Sequence, residues 1–206
     1  TYDRPGIRIS RLDEALTIVR SMWTKERTSF QGRHYRIDNV MQAAALPEGA
    51  APKILVGGGG PRLLALAGRH ADIVGINPSL PEGRILPTTV ADLAPARVRE
   101  KVRWVHEAAA KAGRDPAAIE LNALVFVTAL VDDPKPLREQ IAKGTGMSVE
   151  DVAGCPAFLT GSGAEIRERL ERRREETGIS YVVIQGDRFE QVERFADEIV
   201  SKLTGR

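Results

Sequence analysis

Cysteine occurs once, at Cys155, so the chain cannot close an internal disulfide, which points to a reducing, cytoplasmic setting. Cys155 precedes Pro156 in an apolar stretch with no histidine near it in sequence, the pattern of a small buried side chain rather than a nucleophile. Histidine is nearly as scarce: His34, His70 and His106 fall in no metal-ligand spacing with Cys, Asp or Glu, so no metal is expected. Aromatic residues make up only 5% of the chain and form no stripe with basic ones. The 30 Lys and Arg are balanced by 28 Asp and Glu and interspersed with them, as over Glu165 to Glu176, so no basic face is laid out for nucleic acid. No apolar run approaches the about 20 residues that cross a bilayer, so no membrane partner is expected. No secretory signal opens the sequence. It starts at Thr1 rather than Met, which reads as an internal point of a longer or processed product.

What is present is an alternation of short apolar runs and amphipathic stretches, in a chain of 206 residues able to bury one sizeable core. Pro5-Gly6 reads as a turn and Ser10 as an N-cap, with Asp13 three residues on. Leu12, Ala15, Leu16, Val19, Met22 and Trp23 then recur at helical spacing to about Thr24. Phe30 to Ile37 reads as a hairpin turning at Gln31-Gly32. Lys53-Ile54-Leu55-Val56 and Ile73-Val74-Gly75-Ile76 are runs of the buried parallel-strand kind, with a helix from Pro61 to about His70 between them. Residues 77 to 95 form a long loop, a length uncommon in compact domains unless it has a task. A helix with Val98, Val102, Val105, Ala109 and Ala112 on one face ends at Gly113. A third strand lies within Ile119 to Val131, and short helices fit 134 to 143 and 148 to 152. Phe158-Leu159-Thr160 leads into Gly161-Ser162-Gly163, where Ser162 and Glu165 form a capping box for a charged helix ending at Gly178. Ile179 to Ile184 is the fourth strand, and the last helix turns Phe189, Val192, Phe195, Ile199 and Leu203 inward.

Alternating strands and helices imply an α/β fold with a parallel sheet and right-handed crossovers, in a single domain over residues 1–206. Four such strands are half of a TIM-type (β/α)8 barrel, which needs about 250 residues when complete. A small, doubly wound open sheet is the alternative.

The sharpest local signal is Val56-Gly57-Gly58-Gly59-Gly60-Pro61-Arg62, where a strand enters a glycine tract and leaves as a helix. Without Cβ atoms the backbone can adopt positive φ and approach an anion closely, and the free amides and dipole of a helix start favour phosphate. Gly57, Gly58, Gly59, Gly60 and Arg62 are therefore the candidate cofactor-binding residues, against the plainer reading of a turn that needs positive φ. The tract is neither a Rossmann fingerprint, since position 62 is Arg62, nor a P-loop, since no Gly-Lys-Ser/Thr follows. Asn77, Ser79 and Arg84 follow the second strand, where barrel enzymes build their sites, and Asn77 and Arg84 are the candidate substrate-binding residues. Gly161-Ser162-Gly163 is a second helix start, explained by its capping box alone, and Glu14 reads as a surface residue. No Ser-His-Asp or Cys-His set is present.

Four stretches carry a family resemblance. They are Arg8 to Trp23, the hairpin Phe30-x-Gly32-x-His34-Tyr35, Pro52 to Gly75 (PKILVGGGGPRLLALAGRHADIVG) and Leu159 to Ile184. Together they resemble the carboxyl-terminal half of the luciferase-like monooxygenases, in the flavour of the deazaflavin-dependent members. The resemblance implies an oxidoreductase on a (β/α)8 barrel, using the deazaflavin F-420, or alternatively FMN as a monooxygenase, on a small-molecule substrate. It implies that the cofactor phosphate meets the amides of Gly58 and Gly59, and that the protein is a homodimer. The catalytic groups of this family's amino-terminal strands have no counterpart here and stay unassigned. The reading from another class is a non-enzymatic half-barrel that serves as a binding or assembly module.

Overall fold

The computed structural model describes residues 3–41, 46–47, 49–80, 83–185 and 189–203. Helix α1 spans Pro5–Thr24 and is followed by an antiparallel hairpin of β1, Arg27–Gln31, and β2, Arg36–Met41. The α1 helix starts five residues before Ser10: Pro5, read from sequence as a turn, sits at the first helical position, where its missing N–H has no acceptor to lose. Ser10 faces the hairpin instead, with its hydroxyl 3.0 Å from His34 Nε2.

Strand β3 (Leu55–Gly58), helix α2 (Pro61–His70), β4 (Ile73–Ile76), helix α3 (Pro95–Lys111) and β5 (Glu120–Val125) come next. After them come β6 (Val127–Leu130), α4 (Lys135–Thr145), α5 (Val149–Gly154), β7 (Phe158–Gly161), α6 (Gly163–Thr177) and β8 (Ile179–Ile184). The chain closes with α7 (Phe189–Phe195), a π-helical turn (Ala196–Val200) and the short α8 (Ser201–Leu203). The expected four-strand parallel sheet is present, in the order β3-β4-β5-β8. Among the described residues it does not close into a barrel, because β3 and β8 are edges with one neighbour each.

The stretch Ile119 to Val131, read as one strand, breaks at Phe126. Both Phe126 and Val127 donate their N–H to the Ala157 carbonyl, at 2.8 and 3.2 Å, which pulls the chain off the main sheet. Beyond that kink β6 pairs in parallel with β7, a fully buried strand that its short sequence did not announce. The long loop after β4 is also less irregular than expected, since residues Pro87–Leu93 form a 3₁₀ helix. Gly113 and Gly178 do end their helices in the left-handed conformation, with φ of 72° and 75°. Ser162 caps α6 by accepting from the Glu165 N–H, but the Glu165 carboxylate turns to Arg138 and Arg169 rather than completing the box.

The two faces of the main sheet differ. Val56, Val74, Leu121 and Ile179 are in register and buried, under α2, α3 and α6. The opposite face carries Leu55, the row Gly57, Gly75, Asn122 and Tyr181, and then Leu124 and Val183. There Leu55 is 49% exposed and Tyr181 39%. Among the described residues no helix is long and apolar enough to cross a membrane.

Candidate functional site

The glycine tract spans the end of β3 and the start of α2. Gly57 and Gly58 are the last residues of the strand, and Gly60 is the N-cap of α2, with Pro61 at its first position. None of the four has positive φ, which corrects the expectation that the turn needs it; Gly60 is extended, at φ −88° and ψ 153°. The glycines answer crowding instead. A Cβ on Gly59 would stand 2.3 Å from the backbone of Pro78 and Ser79, and one on Gly57 2.7 Å from Asn77 Nδ2. Gly58 is buried on the covered face, where a Cβ would meet the Leu63 side chain at 2.7 Å. The Gly58 carbonyl accepts from Asn77 N–H at 2.9 Å. In an extended strand a residue's N–H and C=O project to the same side, so the Gly58 amide faces β4 as well.

The amides left to meet a ligand belong to the helix start. The first helical bond runs from Leu64 N–H to the Gly60 carbonyl, at 3.0 Å. The N–H groups of Arg62 and Leu63 come before it and have no acceptor within the helix. The first turns of α1 and α2 carry no acidic side chain, and the Arg62 guanidinium lies over the first turn of α1, 3.2 Å from where a Cβ on Gly6 would be. A cation between two positive helix ends is an arrangement that an anion would relieve.

An ion pair between a buried lysine and a partly exposed aspartate underlies the turn, and sequence reading missed it. Lys101, fully buried on α3, donates to the Gly59 carbonyl at 2.5 Å and to Asp92 Oδ2 at 2.6 Å. Asp92 also accepts from Ser79 N–H at 2.8 Å and from Arg97 Nε at 3.0 Å. Burial draws the Lys101 ammonium below its ordinary pKa, and Asp92 opposes that only in part. Burial works to raise the Asp92 carboxyl, but the bonds from Lys101, Ser79 and Arg97 outweigh it and hold the group below its ordinary value. The signal was present in the helix phase: Lys101 follows Val98 by three residues and precedes Val105 by four, which sets it on the apolar stripe.

The structure brings Asn77 into this neighbourhood. Its carboxamide nitrogen borders Gly57 and Gly75, and the Asn122 side chain borders Gly75 from β5. Asn122, 7% exposed, donates to the Tyr181 carbonyl at 3.1 Å; as one asparagine inside an apolar strand, it gave no motif to read. Two carboxamides thus flank a floor of two glycines on the open face of the sheet. Arg84 is exposed, in the segment between β4 and the 3₁₀ helix. A separate cleft of about 410 Å³ lies between α3, α5 and α6, lined by Arg99, Arg169, Arg172, Glu150 and Glu168. It contains none of the candidate cofactor- or substrate-binding residues and reads as packing between charged helix faces. Two of the three histidines make structural contacts: His34 meets Ser10, and His70 Nε2 lies 2.6 Å from Asp13 Oδ1.

Comparison with known proteins bears on the family and the fold. Residues 4–181 match the family model described as luciferase-like monooxygenase. An F420-dependent hydroxymycolic acid dehydrogenase from Mycobacterium tuberculosis is 31% identical over 171 residues, covering 81% of this chain and 46% of that protein. Among solved structures, an EDTA monooxygenase from Chelativorans sp. BNC1 superposes with a TM-score of 0.72 at 15% identity, over 100% of this chain and 61% of that one. The coenzyme F420-dependent tetrahydromethanopterin reductase from Methanopyrus kandleri gives 0.65 at 15% identity, over 95% and 64%. The chain thus spans about half the length of that curated relative.

Proposed function

The chain belongs to the luciferase-like monooxygenase family, and from that premise we propose that it carries the phosphate-binding half of an oxidoreductase that uses the deazaflavin F-420 to move a hydride to or from a small organic substrate. The observation that carries the reading is the start of α2. A strand ends in glycines whose neighbours leave no room for a Cβ, and the helix opens with unbonded amides, no acidic side chain and Arg62 beside it.

A dinucleotide-sized or flavin-type phosphate fits this chemistry. The N–H groups of Gly60, Arg62 and Leu63 would hold its oxygens, and Arg62 would add charge. The Asn77 and Asn122 carboxamides beside the Gly57 and Gly75 row would offer a ring amide groups. The bound deazaflavin would supply the hydride chemistry, and the residues here bind and orient it. The open face of the sheet, with Leu55 and Tyr181 on it, fits four further strands that would complete a barrel and line the other side of the ring. The relative named for F420 dependence favours F-420 over FMN.

The test is a fluorescence titration of the full-length protein that carries this chain, with F-420 and FMN in parallel. Tighter binding of F-420 is expected. Tighter binding of FMN would move the assignment to a flavin-dependent monooxygenase, and binding of neither would remove the enzyme reading.

A further inference from the structure

We infer that the pair formed by buried Lys101 and partly exposed Asp92 is a positioning device that aims the amides of the glycine turn at the cofactor phosphate, so that affinity for the phosphate depends on a lysine that never touches it. The inference rests on the phosphate reading above and adds the residues that make it work.

Gly59 lies between the last residue of β3 and the N-cap of α2, so neither ladder nor helix supplies a partner for its carbonyl. A buried carbonyl without a partner is costly, and Lys101 supplies the bond from 42 residues away. Lysine is almost never fully buried unless paired, because the charge must leave water. Here it has Asp92 as its counterion, and the site it serves is a single backbone oxygen. The consequence for the ligand follows from peptide geometry. In a planar trans peptide the C=O of one residue and the N–H of the next point in opposite directions. Fixing the Gly59 oxygen towards α3 therefore fixes the Gly60 N–H away from it, on the side of the open helix start. A peptide between two glycines has no side chains to resist a flip, so without the lysine this amide has no fixed aim.

Asp92 extends the control to the second wall of the site. Its carboxylate accepts from Ser79 N–H, and the Pro78–Ser79 backbone is what Gly59 packs against. One ion pair thus sets both the turn after β3 and the segment after β4, which carries Asn77.

The experiment compares affinity for F-420 with that for its ribityl chromophore lacking the phosphate, and FMN with riboflavin, in the full-length protein. Lys101→Met leaves Asp92 unpaired and can fail to fold, so the decisive variant is Lys101→Met/Asp92→Asn. It removes both charges and keeps an acceptor for Ser79. Val105→Ala, a cavity in the same helix, shows what plain loss of stability does. The wild type should prefer the phosphorylated partner, and the double variant should lose roughly tenfold of that preference, the worth of one charge-assisted hydrogen bond. Affinity for the phosphate-free partner should hardly change, and Val105→Ala should keep the wild-type ratio. A double variant that folds and keeps the ratio would overturn the inference alone. A wild type with no preference for phosphate would overturn the phosphate reading, and the inference with it.

Discussion

Gly59 and Gly60 are adjacent and chemically identical, yet the fold uses them differently. Gly60 has backbone angles that any residue adopts, and a Cβ there would meet only Ser79 Oγ, at an ordinary 3.8 Å. Gly59→Ala places a methyl 2.3 Å from main-chain atoms of Pro78 and Ser79, which cannot swing aside as a side chain can. Urea unfolding should therefore show Gly60→Ala within about 0.5 kcal/mol of wild type, the poorer N-cap being offset by the lower entropy of alanine in the unfolded chain. Gly59→Ala should lose about 1–3 kcal/mol, the usual cost of overpacking. Equal effects of the two substitutions would mean that the turn is not packed as described. The glycine tract itself was legible in the sequence, but the reason for it was not. Positive φ is a local property and was the natural inference, whereas crowding by Pro78 and a bond from Lys101 exist only once distant segments have docked. Asn77 was legible because it follows a strand. Asn122 was hidden because one polar residue in an apolar strand has no pattern.

At the scale of elements, Glu14 has a larger part than its place on the polar side of a helix suggested. Its carboxylate accepts three consecutive backbone N–H groups from the β1–β2 turn: Arg33 at 2.8 Å, His34 at 2.9 Å and Tyr35 at 2.9 Å. Gly32 is required beside it, since a Cβ would stand 2.3 Å from Glu14 Oε2. Desolvation works to raise the carboxyl's pKa, but the bonds from His34, Tyr35 and Arg33 outweigh it and hold the group below its ordinary 4.5. A carboxylate whose folded pKa is depressed contributes above its unfolded value and ceases to as pH falls through the folded one. Hydrogen exchange should accordingly show the amides of Arg33, His34 and Tyr35 protected near neutrality, with protection fading below pH 4.5. Glu14→Ala should remove that protection at every pH while α2 and α3 keep theirs. Unchanged protection in the variant would show that the hairpin holds itself. The helices with strong stripes, α2 and α3, were readable to within a few residues. The misreadings have separate causes: Pro5 suits a first helical position as well as a turn, the Phe126 kink is made by the distant Ala157, and the four residues of β7 are too few for a period to show.

For the molecule as a whole, Cys155 is a built-in probe. It is fully buried between α5 and β7, and burial pushes its thiol up from 9.0 to about 12. Because burial penalises only the folded thiolate, the thiol leaves stability unchanged below pH 9 and lowers it as pH climbs from there towards about 12, where the unfolded chain ionises first. Iodoacetamide at pH 8 should label the native chain only as fast as it opens, far more slowly than in denaturing urea. Labelling at the free-thiol rate without urea would mean that the packing around α5 and β7 is open in the native state. The strand order β3-β4-β5-β8 follows the order of the chain, so every new strand adds to the edge of what already exists and none has to be threaded between two others. The first pairing, Leu55 with Ile73, closes a short loop, whereas the last, Leu121 with Ile179, must wait for α4, α5, β7 and α6 to be laid down. Loop-closure entropy makes that last step the slow one. A ribosome releasing this polypeptide from its amino terminus would present the strands in the sequence in which they can be used, with β8 arriving late to an edge that has been waiting for it.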